Sequence, residues 1–187
     1  KERLVNPSAN SPIVITGVGK RLGLALAQHF LMQGRPIIGT YRSWYPALAE
    51  LKAAGAELYC CDFYEQSSVD EFISCVKAKH GVIRAIIHNA SDWIPESAYA
   101  ASKAALANMT LSFATSFAPD IKVNSIAPAL VLFNKDDSDE YKAKAIKKAL
   151  IEKEGGLHSV ISTVDYLLAS DYITGRTLHL DGGRHLK

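Results

Sequence analysis

Pro12-Ile-Val-Ile-Thr-Gly-Val-Gly-Lys-Arg-Leu-Gly23 carries the strongest structural signal in this chain. A short apolar run, Ile13 to Ile15, ends at a turn rich in glycine, and the spacing then becomes helical, with one apolar face formed by Leu22, Ala25, Leu26 and Phe30. A strand, a glycine turn and a helix start in this order bring several backbone N–H groups and the positive end of a helix dipole to one point. Such a point binds a phosphate or pyrophosphate. The alternative is a tight strand–helix connection that binds no ligand.

The glycine turn departs from the older dinucleotide fingerprint. Its spacing is T-G-x-x-x-R-x-G rather than G-x-G-x-x-G, so Arg21 stands where a glycine is expected. This arginine adds a side-chain cation beside the anion site. We predict that a dinucleotide contacts the turn through Thr16, Gly17, Gly19, Lys20, Arg21, Leu22 and Gly23.

Length and composition indicate an ordinary globular domain. The 187 residues, 48% of them apolar, are enough for one domain with a sizeable core. The net charge of +2, from 21 basic and 19 acidic residues, gives no reason to expect nucleic acid or an anionic membrane as a partner. The apolar runs are far too short for a membrane span and no signal pattern opens the chain, so we expect a cytoplasmic protein.

The cysteines and histidines form no pattern that is typical of a metal site, and we predict no metal. Cys60 and Cys61 adjoin within a predicted buried strand. Together with Cys75 they lack C-x-x-C spacing, so we interpret them as packing residues in a reducing compartment. His88 ends a predicted strand, and we expect it to be a core residue.

Apolar runs alternate with helical periodicity along the whole chain, without a repeat or a low-complexity linker. This alternation predicts a doubly wound α/β fold, in which a Rossmann-like parallel sheet carries helices on both faces, in a single domain over residues 1–187. Ligands in such sheets bind beyond the carboxyl ends of the strands. The predicted strands are residues 13–16, 36–40, 57–61, 83–88, 121–126 and 177–180.

The residues after the second, third and fourth strands fit a dinucleotide. We predict that Tyr41 and Arg42 contact the cofactor, and Arg42 stands where an NAD site carries an acidic residue for the ribose 2′-hydroxyl. A guanidinium there suits a 2′-phosphate, so we predict NADPH rather than NADH; the alternative is a solvated surface arginine. Asp62 is placed to accept a hydrogen bond from the adenine amino group. Asn89-Ala90-Ser91 forms a small polar turn near the middle of the cofactor.

Tyr99 and Lys103 are spaced for general acid chemistry. Residues i and i+4 of a helix project from one face, so the phenol and the ammonium lie side by side. The lysine cation stabilises the phenolate, which makes the tyrosine a usable proton donor. A lone Y-x-x-x-K motif is common by chance. Here it indicates a catalytic pair because it follows the phosphate turn and the Asn-Ala-Ser turn in chain order.

In this order the motifs resemble the short-chain dehydrogenase/reductase family, and they cover nearly the whole chain. Arg21, Arg42 and Ser91 are similar to the pteridine reductase branch, and the likeness is closest to the bacterial dihydromonapterin reductases. The matching pieces are Thr16-Gly17, Arg21-Leu22-Gly23, Asp62, Asn89-Ala90-Ser91, Tyr99 with Lys103, Val123-Asn124-Ser125-Ile126-Ala127-Pro128, Thr174-Gly175 and Asp181-Gly182-Gly183.

The resemblance implies that NADPH reduces a dihydropterin, 7,8-dihydromonapterin to tetrahydromonapterin, and more weakly dihydrofolate. It implies that Trp93 stacks on the pterin opposite the nicotinamide, and that Arg21 contacts both the cofactor phosphates and the pterin edge. It places Ser91 beside cofactor and substrate, and Pro128 beside the cofactor. A homotetramer is implied as well.

The same resemblance implies that Lys103 holds the nicotinamide ribose. It also implies that Tyr99 lies beside the substrate and supplies the proton. Two alternatives stay open. One is another reductase of the family that acts on a carbonyl such as a 3-oxoacyl thioester. The other is a non-catalytic module that senses NADP without turnover.

The interval between Asn89 and Tyr99 is too short for the family's fold. It holds nine residues, whereas a crossover between parallel strands takes at least about 10–12 and a further strand about five. We interpret the fifth-strand region as absent, with the join near Ser97 and Ala98. Either the sequence omits an internal segment that the protein carries, or the protein has a real deletion.

Overall fold

The structure is a computed structural model that describes residue 8, residues 10–90 and residues 96–187, with the backbone alone at residues 96–98. Strands and helices alternate along it. The elements are β1 (Ile13–Ile15), α1 (Arg21–Met32), β2 (Ile37–Tyr41), α2 (Ala47–Ala53), β3 (Glu57–Cys60), α3 (Gln66–Lys79), β4 (Ala85–Ile87), α4 (Glu96–Phe117), β5 (Ser125–Pro128), α5 (Asp139–Ile146), α6 (Gly156–Ala169) and β6 (Thr177–Leu180), followed by a short 3₁₀ turn at Arg184–Leu186.

The chain divides into two compact units, Lys1–Asp92 and Trp93–Lys187, and each is described by itself. The N-terminal unit holds a four-stranded parallel sheet in the order β3-β2-β1-β4. Because β2 and β4 lie on opposite sides of β1, the strand order reverses at β1. Such a reversal is the topological switch point at which doubly wound sheets bind ligands.

Alternating side chains divide the core of this unit into two layers. Val14 of β1 pairs with Ile38 of β2, and these two buried residues pack with Val76 of α3 on one face of the sheet. Ile13 and Ile15, fully buried, point to the opposite face because successive strand residues alternate. Helix α1 contacts β1, β2 and α2. The predicted parallel sheet with helices on both faces is confirmed in this unit.

The buried face of α1 contains Leu26 and Phe30 of the predicted stripe, but not its other two residues. Gly23, Leu26, Ala27 and Phe30 are buried, whereas Leu22 and Ala25 are only half-buried. The face is set by Gly23, which meets the preceding turn at close range.

The C-terminal unit contains a two-stranded parallel sheet in which Ser125 of β5 pairs with Thr177 of β6. The predicted strand at residues 121–126 is wrong in its bounds, since pairing begins only at Ser125. The preceding residues are held by side chains instead. The N–H of Val123 donates to Thr174 Oγ1 at 3.1 Å, and the Asn124 side-chain amide donates to the Ile173 carbonyl at 2.9 Å.

Two further expectations on single residues are wrong, both because the residue stands at an edge strand. His88, expected in the core, is exposed directly after β4, the last strand of the sheet order. Cys60 is exposed at the end of β3, the opposite edge, whereas Cys61 is buried as expected.

The division into two sheets agrees with the predicted absence of a strand region. Among the described strands, β4 and β5 each have one neighbour in the sheets, so each leaves an edge. The predicted join between Ser97 and Ala98 falls within α4, which runs unbroken from Glu96 to Phe117. The join, and the single domain over residues 1–187, stay predictions.

Glu57 ties β3 to the end of α3. Its carboxylate accepts hydrogen bonds from Lys79 Nζ at 2.8 Å, from His80 Nε2 at 3.0 Å and from the Tyr59 hydroxyl. Burial raises the pKa of Glu57, but the hydrogen bonds from Lys79, Tyr59 and His80 outweigh it and lower this pKa from its ordinary value of 4.5 to about 2.

We predict that Glu57→Gln lowers the free energy of unfolding at pH 7 by about 1–2 kcal/mol. Because the folded-state pKa lies below the unfolded value, the carboxylate stabilises the fold above pH 4.5, and this stabilisation decreases as the pH falls towards 2. Thermal unfolding of both proteins between pH 7 and pH 3 should show converging midpoints. Glu71→Gln, at an exposed position of α3, is the control. A pH-independent difference between the Glu57 variant and the parent would contradict the assignment.

Candidate active site

A cleft of about 370 Å³ lies in the C-terminal unit, and a larger one of about 670 Å³ lies in the N-terminal unit. The larger cleft opens beyond the carboxyl ends of β1, β2, β3 and β4, the edge at which a doubly wound sheet binds its ligand. Twelve of the predicted cofactor residues line it: Thr16, Gly17, Gly19, Lys20, Arg21, Leu22, Gly23, Tyr41, Arg42, Asp62, Asn89 and Ala90.

Thr16 ties the ends of β1 and β4 together. Its hydroxyl oxygen accepts hydrogen bonds from the N–H groups of Asn89 and Ala90, both at 2.9 Å, and its own N–H donates to the Ile87 carbonyl at 3.0 Å. Asn89 reciprocates, since its side-chain amide donates to the carbonyls of Thr16 at 3.1 Å and Gly17 at 3.2 Å. The turn after β1 is therefore fixed to the turn after β4 from both directions.

Thr40 ties the same turn to β2. Its carbonyl accepts the N–H of Gly17 at 3.0 Å and the N–H of Val18 at 2.9 Å. Thr40 and Val18 are fully buried. The glycine turn is thus held by both strands that flank β1.

Glycine is required at two positions of this turn. Gly17 has a φ of +75°, a conformation that other residues rarely adopt. A Cβ on Gly23 would lie 2.1 Å from the Gly17 carbonyl oxygen and 2.6 Å from Asn89 Nδ2. The first turn of α1 can therefore approach the end of β1 only because residue 23 has no side chain.

The N-terminus of α1 is suited to an anion. The first N–H groups of a helix have no partner within the helix, and here the side chain of the N-cap residue Lys20 makes no capping hydrogen bond and no acidic residue stands in the first turn. Lys20 and Arg21 add two cations at the same place. Arg21 has a φ of +51°, a left-handed conformation that is strained for a residue with a side chain and that clusters at ligand sites.

Arg42, after β2, and Asp62, after β3, also line the cleft. The carboxylate of Asp62 accepts the N–H of Tyr64 at 3.0 Å, while its own N–H donates to Ser68 Oγ at 3.1 Å. Both predicted residues therefore line the same cleft as the glycine turn.

Some lining residues were missed by sequence reasoning. All of them lie within three residues of a predicted site residue near the end of a strand, and that position is the signal that could have identified them. They are Thr40, Ser43, Tyr45, Cys61, Phe63, Tyr64 and His88.

The predicted catalytic pair lies in the C-terminal unit. Lys103 Nζ is 5.0 Å from the ring centre of Tyr99, one helical turn along α4. Pro128 ends β5 in the same unit. Ser91 and Trp93 lie outside the described residues.

The described residues contain no cluster of three or more histidine, cysteine or acidic side chains that could hold a metal. Within the same residues, no helix is both long and apolar enough to span a membrane.

Two family models match adjoining parts of the chain. Residues 11–94 match the model described as short chain dehydrogenase, and residues 90–185 match the model described as enoyl-(acyl carrier protein) reductase. Dihydromonapterin reductases from Escherichia coli O6:K15:H31 (strain 536 / UPEC) and Shigella flexneri serotype 5b (strain 8401) are each 42% identical to this chain. These alignments extend over 234 positions and cover 94% of this chain and 97% of each relative.

Solved structures share the fold at lower identity. The Cj0485 dehydrogenase superposes with a TM-score of 0.84 at 23% identity, covering 94% of both chains. FolM alternative dihydrofolate reductase 1 from Brucella canis, complexed with NADP, superposes with a TM-score of 0.83 at 22% identity, covering 100% of this chain and 97% of that chain.

The sequence alignments are longer than the chain itself. They run over 234 positions, whereas the chain has 187 residues, so the relatives carry residues without a counterpart here. The two family matches meet at residues 90–94, close to the interval that is too short for a crossover. On its matches to both family models, and on the curated relatives that it covers almost completely, the chain belongs to the short-chain dehydrogenase/reductase family.

Proposed function

We propose that this protein reduces dihydropterins with NADPH, converting 7,8-dihydromonapterin to tetrahydromonapterin and, more slowly, reducing dihydrofolate. The observation that carries the proposal is the 42% identity to dihydromonapterin reductases along 94% of this chain and 97% of the relatives. The cleft in the N-terminal unit supports it, because it offers a built anion site at the switch point of the sheet.

The residues present fit NADPH. The helix terminus at Lys20 forms a cradle for a pyrophosphate, and a Cβ at residue 23 would push α1 away from the end of β1 that positions this terminus. Arg42 would meet the 2′-phosphate, since a guanidinium matches the oxygens of a phosphate. Asp62 would accept a hydrogen bond from the adenine amino group. NADPH, when bound, supplies the hydride for the reduction.

The chain's own part in the chemistry is to hold the substrate and to supply a proton. Tyr99 is the proposed proton donor, and Lys103, with its ammonium 5.0 Å from the Tyr99 ring centre, stabilises the phenolate that remains. In the proposal Trp93 stacks on the flat pterin, and Arg21 and Ser91 orient its polar edge.

We further propose that the active protein contains an internal segment between Ser97 and Ala98. The two-sheet arrangement, the length of the alignments and the meeting point of the family matches support this. A strand in that segment would pair with the edges that β4 and β5 leave, and unpaired strand edges are a liability for a protein in water. The resemblance also supports a homotetramer in the cytoplasm.

A second candidate function is reduction of a carbonyl such as that of a 3-oxoacyl thioester. It is favoured by the match of residues 90–185 to a family model described as enoyl-(acyl carrier protein) reductase. The third possibility is an NADP-sensing module without turnover.

One assay separates the three. We predict that a chimera, with the extra segment of the Escherichia coli relative inserted between Ser97 and Ala98, oxidises NADPH fastest with dihydromonapterin and more slowly with dihydrobiopterin and dihydrofolate. The chain without the insertion should show no turnover. Faster oxidation with an acetoacetyl thioester would favour the second candidate. Binding of NADPH without turnover of any substrate by the chimera would favour the sensing module.

For the proton donor, we predict that Tyr99→Phe in the chimera lowers kcat about 10²–10⁴-fold, because the general acid is lost. The dissociation constant of NADPH should stay unchanged. The matched control is Tyr172→Phe, which alters a fully exposed tyrosine in the same unit. Parental turnover by the Tyr99 variant would remove this residue from the mechanism.

A further inference from the structure

Two cations of the cleft lie against tyrosine rings that the predicted site does not include. Lys20 Nζ is 5.3 Å from the ring centre of Tyr45, and the guanidinium carbon of Arg42 is 6.0 Å from the ring centre of Tyr64. Both tyrosines line the cleft. The second pair matters more for specificity, because it involves the residue proposed to meet the 2′-phosphate.

The position of Tyr64 is fixed by its backbone. Its N–H donates to Asp62 Oδ1 at 3.0 Å, and Asp62 lies two residues after the end of β3. The ring itself stays 68% exposed, so it contributes little to the core. A large aromatic ring in this setting provides a surface for a ligand or for a ligand-binding side chain.

Such a surface reduces the entropy cost of ordering the Arg42 side chain. An exposed arginine has many rotamers, and ordering it on binding costs conformational entropy. A guanidinium that already lies over a ring loses less of this freedom, and its fork of N–H donors stays available at its edge for phosphate oxygens.

We propose that Tyr64 is a positioning residue for cofactor choice, whose ring holds Arg42 in the orientation that binds a 2′-phosphate. The inference rests on the proposed use of NADPH. It predicts that Tyr64 affects ligands with a 2′-phosphate and leaves ligands without one unaffected. A ring that stacked on the adenine instead would affect both.

The test uses the full chain and two nucleotide probes, adenosine 2′,5′-bisphosphate and AMP, with dissociation constants from calorimetry. We expect Tyr64→Ala to weaken the bisphosphate about two- to fivefold and to leave AMP unchanged. Tyr64→Phe, which keeps the ring, should bind both probes as the parent does. In an Arg42→Ala background, Tyr64→Ala should have no further effect, because the partner is gone.

The control is Tyr172→Ala, at a fully exposed tyrosine of the other unit. Equal weakening of both probes by Tyr64→Ala, or an unchanged effect of Tyr64→Ala in the Arg42→Ala background, would overturn the positioning role. So would parental affinities for both probes in the Tyr64→Ala variant. If the parent itself binds both probes equally, the use of NADPH fails and the role of Tyr64 fails with it. A parental preference that Tyr64→Ala leaves intact overturns the role of Tyr64 alone.

Discussion

The hydroxyl of Thr16 is the acceptor on which the cleft depends. It is buried and receives the N–H groups of Asn89 and Ala90, both at 2.9 Å. Without it, two backbone donors beside the end of β4 would lose their partner, and each hydrogen bond lost costs about 0.5–1.5 kcal/mol. Asn89 returns the contact by holding the carbonyls of Thr16 and Gly17. The end of β1 is thus fixed before any ligand is present.

Because the turn after β1 is held in place, the N-terminus of α1 can serve as a binding site. Because Gly17 and Gly23 let α1 begin against the strand end, the first N–H groups of α1 face the edge of the sheet together with Lys20 and Arg21. The anion site belongs to the N-terminal unit, whereas the Tyr99–Lys103 pair belongs to the C-terminal unit. Each half of the chain therefore carries a distinct part of a reductase: the anion site in one, the proposed proton donor in the other.

The sequence was informative where local chemistry determines structure, and less so where tertiary contacts do. The glycine turn, Arg42, Asp62 and Asn89 could be placed at one sheet edge, because parallel strands end together. The missing strand region could be inferred by counting the residues between Asn89 and Tyr99. The residue at which β5 begins could not be inferred, because a side-chain hydrogen bond from Asn124 replaces strand pairing just before β5. The left-handed backbone at Arg21 and the ring of Tyr64 near Arg42 depend on contacts that no local pattern encodes.

The most direct test of the account is a titration of NADPH against Thr16→Val and Thr16→Ser. Valine keeps the branched shape but removes the acceptor, whereas serine keeps the hydroxyl. We predict that the valine variant binds NADPH about tenfold more weakly, the loss expected for the two hydrogen bonds that hold the turn, and that the serine variant binds it nearly as the parent does. Parental affinity in the valine variant would contradict the claim that this hydroxyl organises the cofactor cleft.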